Sequence, residues 1–282
     1  MSASPSRLVI KLGTGLLTSP RGTALDAAQF RRLTAEIATL VRAGHECLVV
    51  SSGAVGAGLV TLKMKERSRD LPTIQACAAI GQSRLMRVYE TNFGRHGLAV
   101  AQVLLTHQDL DSRIGYANAQ NTLNRLLQFG NVVPIINEND VVAVEELRFG
   151  DNDRLSAEVA LLARAGLLVV LTSAEGLTRE PDGRGEPIPL VPNVDDVLHL
   201  AGATKGRLST GGMSTKLAAV KLAVDGGVEA IIANGRKPGL LARIVRGESV
   251  GTRFPASPPR AQTASTLDHT PLPIARALLS KP

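Results

Sequence analysis

Apolar positions along this chain follow two patterns that alternate with each other. Short continuous apolar runs predict buried strands at residues 8–10, 47–50, 98–105, 132–136, 167–171 and 228–233, with an edge strand at 252–254. Apolar residues with a helical period predict helices at residues 26–43, 72–93, 116–129, 155–165, 194–201, 210–225 and 239–245. Strands that alternate with helices in this way are typical of a mainly parallel sheet covered on both faces.

The most polar stretch of the chain, residues 137–153, directly follows one of these apolar runs. Its carboxylates and carboxamides are those of Asn137, Glu138, Asn139, Asp140, Asp151, Asn152 and Asp153. Ligands of open α/β sheets bind beyond the carboxyl ends of the strands, and oxygen-rich clusters there can hold an ammonium group, a magnesium ion or a pair of lysines. A solvated acidic loop with two helix caps is the alternative.

Two glycine-rich turns, each with a neighbouring lysine, lie at a strand end and at a helix start. The first is Lys11-Leu-Gly13-Thr-Gly15, and the second is residues 210–216, which open a helix with Lys216 in its first turn. Backbone N–H groups at such turns can approach a phosphate, and a lysine adds a full positive charge. A plain Gly-Thr-Gly turn is the alternative for the first.

Small residues at positions 51–58 follow the second strand and lead into a helix. Unpaired N–H groups at such a helix start can accept a carboxylate or a phosphate. Tight packing of the helix on the sheet is the alternative, and we expect Gly81 to bend the long helix at 72–93.

The two lysines and the acidic stretch between them point to phosphoryl transfer. This reaction needs in-line positioning of donor and acceptor and positive charge on the transferring oxygens, which Lys11 and Lys216 would supply from opposite ends of the donor. Asp153 would either hold both lysines in place or help to bind magnesium.

Composition narrows the partners. At 282 residues the chain can bury the core of one large domain or two small ones, and its net charge of +7 favours anionic ligands. Aromatic residues make up 2% of the chain, which argues against nucleic-acid binding by base stacking. Two isolated cysteines, scattered histidines, and the absence of a signal peptide or a membrane-length apolar run predict a zinc-free, cytoplasmic protein without membrane association.

Five motifs, in this order, resemble the amino acid kinase family. They are Lys11-Leu-Gly-Thr14, Ser52-Gly53-Ala54, Asn137-Glu-Asn-Asp140, Gly150-Asp-Asn-Asp-x-Leu-Ser-Ala157 and Thr210-Gly-Gly-Met-Ser-Thr-Lys216. The resemblance runs from about residue 7 to residue 254 and is strongest to those members that phosphorylate the γ-carboxylate of L-glutamate with ATP, the first step of proline biosynthesis.

This resemblance implies a three-layer α/β/α sandwich, ATP and Mg²⁺ as substrate and cofactor, and three catalytic residues, Lys11, Asp153 and Lys216. The implied glutamate contacts are Ser52, Gly53, Asn137, Asp140 and Asn152. The implied ATP contacts are Lys11, Gly13, Thr172, Ser173, Thr210, Gly211, Gly212, Met213, Ser214, Thr215 and Lys216. Feedback inhibition by proline, a homo-oligomer and a partner reductase for the acyl phosphate are also implied.

The chain departs from the family pattern at three positions. Ser173 replaces a usual aspartate near the nucleotide, Gly15 replaces a serine or threonine and is expected to loosen the first phosphate loop, and Ser209 replaces a glycine. We expect a kinase domain at 1–254 and a Pro-rich tail at 255–282, without the RNA-binding-type PUA domain of many relatives.

Two rival interpretations stay open. Asp140 suits a substrate with a free α-ammonium, which argues against N-acetylglutamate as the acceptor. A catalytically silent sensor of amino acid or nucleotide with the same fold is the rival from another class, and the presence of Lys11, Asp153 and Lys216 argues against it.

Overall fold

A computed structural model describes residues 6–18, 25–64, 68, 70–143, 152–180, 185–201 and 212–257. Its strands are β1 (Arg7–Leu12), β2 (Glu46–Ser51), β3 (Ala99–Leu105), β4 (Val132–Glu138), β5 (Leu167–Thr172), β6 (Glu229–Asn234) and β7 (Thr252–Phe254). Its α-helices are α1 (Thr14–Leu17), α2 (Ala27–Arg42), α3 (Ala54–Thr61), α4 (Leu71–Gly94), α5 (His107–Asp111), α6 (Arg113–Gln128), α7 (Asn152–Leu162), α8 (Met213–Asp225) and α9 (Leu240–Val245), and a 3₁₀ helix spans Val194–Ala201.

The described strands form one sheet in the order β3-β4-β2-β1-β5-β6-β7. Every neighbouring pair is parallel except β6 and β7, which run antiparallel. Successive residues of β1 enter different cores, with Val9 on one face of the sheet and Leu8 and Ile10 on the other. A sheet with an apolar core on each face needs a helical layer on each side, so the predicted three-layer sandwich is confirmed.

Helix starts follow local capping chemistry. The Asp26 side chain accepts hydrogen bonds from the N–H groups of Ala28 and Gln29 at the start of α2, and Asp70 accepts one from Thr73 at the start of α4. The helix pattern did not predict α1 and α5, which have four and five residues, because an apolar period cannot develop over so few positions.

Helices α3 and α4 approach each other through two glycines. A Cβ atom at Gly58 would lie 1.8 Å from the carbonyl oxygen of Cys77, and one at Gly81 would lie 1.7 Å from that of Ala54. Gly81 lies inside the unbroken helix α4, where its missing side chain permits the close helix–helix contact, and the expected bend at this position stays a prediction. Ala54 and Ala57 of α3 are buried as well, which supports the packing alternative for these small residues.

The second half of the chain returns over the surface before it completes the sheet. Thr178 pairs with Pro187 in an antiparallel bridge, as the predicted excursion at 178–192 requires, and Leu190 pairs with Arg253 of β7. Both cysteines are buried, and burial raises the pKa of Cys47 to about 12. Within the described ranges, no helix combines the length and apolar character needed to cross a membrane. The predicted tail lies outside these ranges from residue 258 onward.

Candidate active site

A buried group of charges lies at the carboxyl edge of the sheet, centred on Asp153. The carboxylate of Asp153 is 0% exposed and accepts a hydrogen bond from Lys11 Nζ on one oxygen. Its other oxygen lies 3.3 Å from Lys216 Nζ and 3.0 Å from Thr215 Oγ1. Lys11 and Lys216 are 5% and 9% exposed. Three distant parts of the chain thus meet at one carboxylate, and the two lysines and the aspartate together carry one net positive charge.

Secondary structure explains how these three side chains meet. Lys11 is the last but one residue of β1, at the centre of the sheet, so its side chain leaves the strand near the carboxyl edge. Asp153 is in the first turn of α7, where the helix dipole favours a negative charge. Lys216 is in the first turn of α8, and its Nζ also lies 3.3 Å from the carbonyl oxygen of Gly212.

A second polar network, made mainly of carboxamides, adjoins the charged group. The Nδ2 group of Asn152 donates to the carbonyl oxygen of Ser51 (2.6 Å), to Ser52 Oγ (3.1 Å) and to Asn137 Oδ1 (2.8 Å). Asn137 Nδ2 in turn donates to Gln82 Oε1 over 2.8 Å, and its Oδ1 also accepts from the backbone N–H of Glu138. These side chains are all buried. The network joins the ends of β2 and β4 to α4 and α7.

The structure brings three of the five predicted glutamate-binding residues, Ser52, Asn137 and Asn152, into this network. Gly53 adopts a left-handed φ of 107° directly before α3, a conformation that favours glycine. Asp140 is half-buried in the turn that follows β4. Roles for these residues stay predictions, but four of them lie at the ends of β2 and β4, and Asn152 joins both ends from α7.

Sequence reasoning missed Gln82. It lies on the buried face of α4, at helical spacing from Ala78, Leu85 and Tyr89. An amide on an otherwise apolar helix face is the signal that could have identified it.

Apart from the two lysines and Gly13, the predicted ATP-binding residues that the structure describes lie at the end of β5 and at the start of α8. Thr172 is half-buried at the end of β5, Ser173 is exposed, and Gly212 precedes α8. Met213 packs against the core, Ser214 is exposed, and the Thr215 hydroxyl binds Asp153 and the Gly212 carbonyl oxygen. Thr210 and Gly211 lie outside the described residues, as do Ser209, Gly150 and Asp151.

Beyond Ser173, a charged pair joins the loops after β5 and β6. Glu175 lies 2.6 Å from Lys237 Nζ and accepts a hydrogen bond from Asn234 Nδ2 over 3.0 Å. These hydrogen bonds lower the pKa of Glu175 below its ordinary value, and the bond from Lys237 has the largest effect. The guanidinium of Arg236 donates to the carbonyl oxygen of Gly15 over 2.8 Å. The predicted first phosphate loop thereby contacts the turn after β6 at Gly15, the position where a loosened loop was expected.

The described residues contain no cluster of three or more His, Cys, Asp and Glu side chains that could hold a metal ion. Asp153 does not fit as a direct magnesium ligand, because one of its oxygens accepts from Lys11 and the other from Lys216 and Thr215. The lysine-binding alternative for this aspartate is therefore the better supported of the two.

Comparison with known proteins shows the family to which this chain belongs. The sequence profile of the amino acid kinase family matches residues 6–234, which span the five predicted motifs. The chain belongs to the amino acid kinase family. Solved structures share the amino acid kinase fold. One is UMP kinase from Bacillus anthracis, with a TM-score of 0.62 and 18% identity, and the match covers 90% of this chain and 98% of the UMP kinase chain. Another is N-acetylglutamate synthase from Neisseria gonorrhoeae, complexed with coenzyme A and N-acetyl-glutamate, with a TM-score of 0.65 and 15% identity. This match covers 90% of this chain and 60% of the synthase chain.

Curated amino acid kinases give higher identities. The chain is 48% identical over 253 residues to glutamate 5-kinase from Pelobacter propionicus, with 88% of this chain and 67% of the relative covered. It is 46% identical over 279 residues to glutamate 5-kinase from Geobacter metallireducens, with 97% and 74% covered. The chain therefore spans about two thirds to three quarters of the length of these two relatives.

Proposed function

We propose that this amino acid kinase transfers the γ-phosphoryl group of ATP to the γ-carboxylate of L-glutamate and so forms L-glutamyl 5-phosphate, the first step of proline biosynthesis. The identity to curated glutamate 5-kinases over most of the chain supports the reaction. The observation that carries the proposal is the buried carboxylate of Asp153, which binds two lysines beside a network of carboxamides.

The two lysines would act on the transferring phosphoryl group. A γ-carboxylate oxygen of glutamate attacks the γ-phosphorus of ATP, the bond from that phosphorus to the bridging oxygen breaks, and ADP leaves with the bonding electrons. Negative charge on the phosphoryl oxygens and the leaving group would be stabilised by the ammonium groups of Lys11 and Lys216. Asp153 would keep both ammonium groups in place without neutralising them fully, because one carboxylate faces two cations.

The carboxamide network would hold the amino acid. Ser52, Asn137 and Asn152 form a rigid wall beside the lysines, since each side chain is buried and hydrogen-bonded to another. Asp140 lies half-buried at the end of the same β4 strand and would receive the α-ammonium of glutamate. N-acetylglutamate has no such cation, which favours free glutamate as the acceptor.

The nucleotide would lie over the ends of β5 and β6 and the start of α8. Backbone N–H groups at Gly212 and the first turn of α8 suit the phosphates, and Thr172 and Ser173 would line the nucleoside side. Mg²⁺ is part of this proposal as a cation carried by the ATP phosphates, where it would offset their negative charge.

We further propose inhibition by proline at or near the glutamate site, since proline also carries an α-carboxylate beside a cationic nitrogen. A homo-oligomeric assembly, a cytoplasmic location and a reductase that consumes the reactive acyl phosphate complete the proposal.

A hydroxylamine trap tests the reaction directly. Purified protein is incubated with Mg-ATP, hydroxylamine and either L-glutamate, L-aspartate or N-acetyl-L-glutamate, and the hydroxamate and ADP are measured. We expect hydroxamate with glutamate and much less with the other two. Hydroxamate with N-acetylglutamate alone would reassign the substrate, and no hydroxamate with any acceptor would favour the silent sensor.

A further inference from the structure

Gln82 is a buried polar residue in the wall of the proposed amino acid site. It lies on α4, is 8% exposed, and accepts a hydrogen bond from Asn137 through its Oε1 atom. Its Nε2 group is buried and has no hydrogen-bond partner among the described residues. Buried donors in proteins are nearly always paired, because an unpaired one costs stability that a partner would restore. The Nε2 group of Gln82 is therefore a buried donor for which the described part of the chain supplies no acceptor.

Hydrogen-bond directions along the network fix which end of the amide is unpaired. The backbone carbonyl of Ser51 can only accept, so the group of Asn152 that faces it must be the Nδ2 donor. Asn152 Nδ2 also faces Asn137, which must present Oδ1 there and Nδ2 to Gln82. Gln82 then presents Oε1 to Asn137 and has Nε2 left over.

The other end of the network has the complementary property. Asn152 Oδ1 is a buried acceptor that also has no partner among the described residues. One free donor and one free acceptor in the same wall match the carboxylate and the ammonium of an α-amino acid. The two unpaired atoms thus point to a ligand that carries both groups.

Strand order indicates which carboxylate of glutamate Gln82 would meet. Lys11 lies on β1 and Asn137 on β4, and β2 separates the two strands, which places their ends about 10 Å apart. The γ-carboxylate must lie at the lysines to receive the phosphoryl group. An extended glutamate molecule then directs its α-carbon toward β4 and α4, where Gln82 lies.

We propose that Gln82 is a specificity-determining residue whose Nε2 group donates a hydrogen bond to the α-carboxylate of the amino acid substrate. This inference rests on the proposed glutamate kinase function. The bond forms in a site shielded from water, which strengthens a hydrogen bond to a charged acceptor. Ligands that lack the α-carboxylate would gain nothing from Gln82.

The decisive variant is Gln82→Glu, which retains the size and one oxygen for Asn137 but replaces the donor by an oxygen. Binding is measured by calorimetry in the presence of a non-hydrolysable ATP analogue with three ligands: glutamate, glutarate, which lacks the ammonium, and 4-aminobutyrate, which lacks the α-carboxylate. We expect glutamate and glutarate to bind about tenfold to a hundredfold more weakly. The affinity for 4-aminobutyrate, measured by displacement, should change by less than about twofold.

Two further variants separate this role from a structural one. Gln120→Glu is the matched control, because Gln120 also donates through Nε2, to the carbonyl oxygen of Leu162, at the opposite edge of the sheet. It should leave all three affinities unchanged. Gln82→Met removes both the donor and the acceptor without adding a charge. It should also weaken the binding of glutamate and glutarate but not that of 4-aminobutyrate, which keeps the test available if Gln82→Glu fails to fold.

The outcomes distinguish this inference from the kinase proposal. An equal loss of affinity for all three ligands, or no loss for any, would overturn the role of Gln82. Because binding is measured without transfer, a wild-type protein that binds glutamate but forms no hydroxamate overturns the kinase reaction while the Gln82 comparison still stands. A wild-type protein that does not bind glutamate overturns both.

Discussion

The two sides of the sheet's carboxyl edge are built differently. On the side of β2 and β4, Ser52, Asn137 and Asn152 are buried and bonded to one another. On the side of β5 and β6, the Glu175 and Lys237 side chains are 44% and 53% exposed, and Ser173 is exposed as well. The side chains of the first side are held in place by hydrogen bonds to one another, whereas the second side offers loops and solvated charges.

This difference indicates where the enzyme would discriminate between ligands. A buried amide network rejects a ligand that leaves one of its groups unpaired, because water cannot fill the missing contact. Exposed groups can exchange a lost contact for water at little cost. The replacement of the usual aspartate by Ser173 falls on the exposed side, where a change of side chain is tolerated best. Four predictions can break or sharpen this comparison.

Substitution of a lysine between the two sides should have the largest effect on turnover. Lys216→Ala removes one of two ammonium groups from the Asp153 carboxylate, and we expect turnover to fall by roughly 10²–10³, measured as hydroxamate formation, with unchanged circular dichroism. Lys221→Ala on the same helix is the control, since Lys221 pairs with Asp195 and Asp225 on the surface. Near-normal turnover of the Lys216 variant would remove this lysine from the catalytic set.

A substitution in the amide network should have the second largest effect, on the KM for glutamate. Asn137→Asp replaces the donor that faces Gln82 Oε1 by an oxygen, so either two acceptors oppose each other or the Gln82 amide turns over and its Nε2 group binds the new carboxylate instead of the substrate. We expect the KM for glutamate to rise about tenfold or more, while the KM for ATP stays within about threefold. The control is Asn92→Asp, a buried change on α4 where Asn92 donates to the Val88 carbonyl oxygen. Equal changes in the KM values for glutamate and ATP would contradict the idea that the buried side recognises glutamate alone.

Helix contact behind the buried side gives the third prediction. Gly58→Ala places a methyl group against the Cys77 carbonyl oxygen, and we expect unfolding to become easier by about 1–3 kcal/mol, measured in urea. The KM for glutamate should rise in parallel, because α3 begins beside Ser52 and α4 carries Gln82. Gly56→Ala, on the same helix with open space around it, should change neither property.

A substitution on the exposed side should have the smallest effect on the KM values. Lys237→Ala removes the partner of Glu175, and we expect the KM for ATP to change by less than about threefold. Because the pKa of Glu175 is lowered in the folded protein, the pair stabilises the fold above the ordinary glutamate pKa, and this contribution disappears as pH falls through the lowered value. Wild type and variant should therefore differ slightly in melting temperature at pH 7, and this difference should disappear in acid, once Glu175 is protonated in the folded protein. A large loss of ATP affinity would show that this side is also specific.

Much of this architecture could be predicted from the amino-acid sequence. Apolar runs located the described strands to within one or two residues at most ends, because strands buried on both faces leave a continuous signal. Motif order placed Lys11, Asp153 and Lys216 in one group, and the structure brings their side chains together.

The missing parts were those that depend on contacts between distant residues. Gln82 is 55 residues from Asn137, and nothing local shows that the two amides meet. The Thr215 hydroxyl, which the family resemblance implies as an ATP contact, also donates to the Asp153 carboxylate, 62 residues away in the chain, and no local pattern shows that contact. Patterns along the chain report which face is buried, but they do not report what a buried polar group faces.

Asn152 and Asp153 are consecutive residues in the first turn of α7, yet one belongs to the amide network and the other to the lysines. Consecutive helical side chains diverge by about 100° around the axis. A one-residue insertion or deletion between these positions and the rest of α7 would rotate both side chains away from their partners at once. Homologous proteins that carry this site are therefore expected to show no insertion or deletion within this turn, because such a change would shift the phase of the helix.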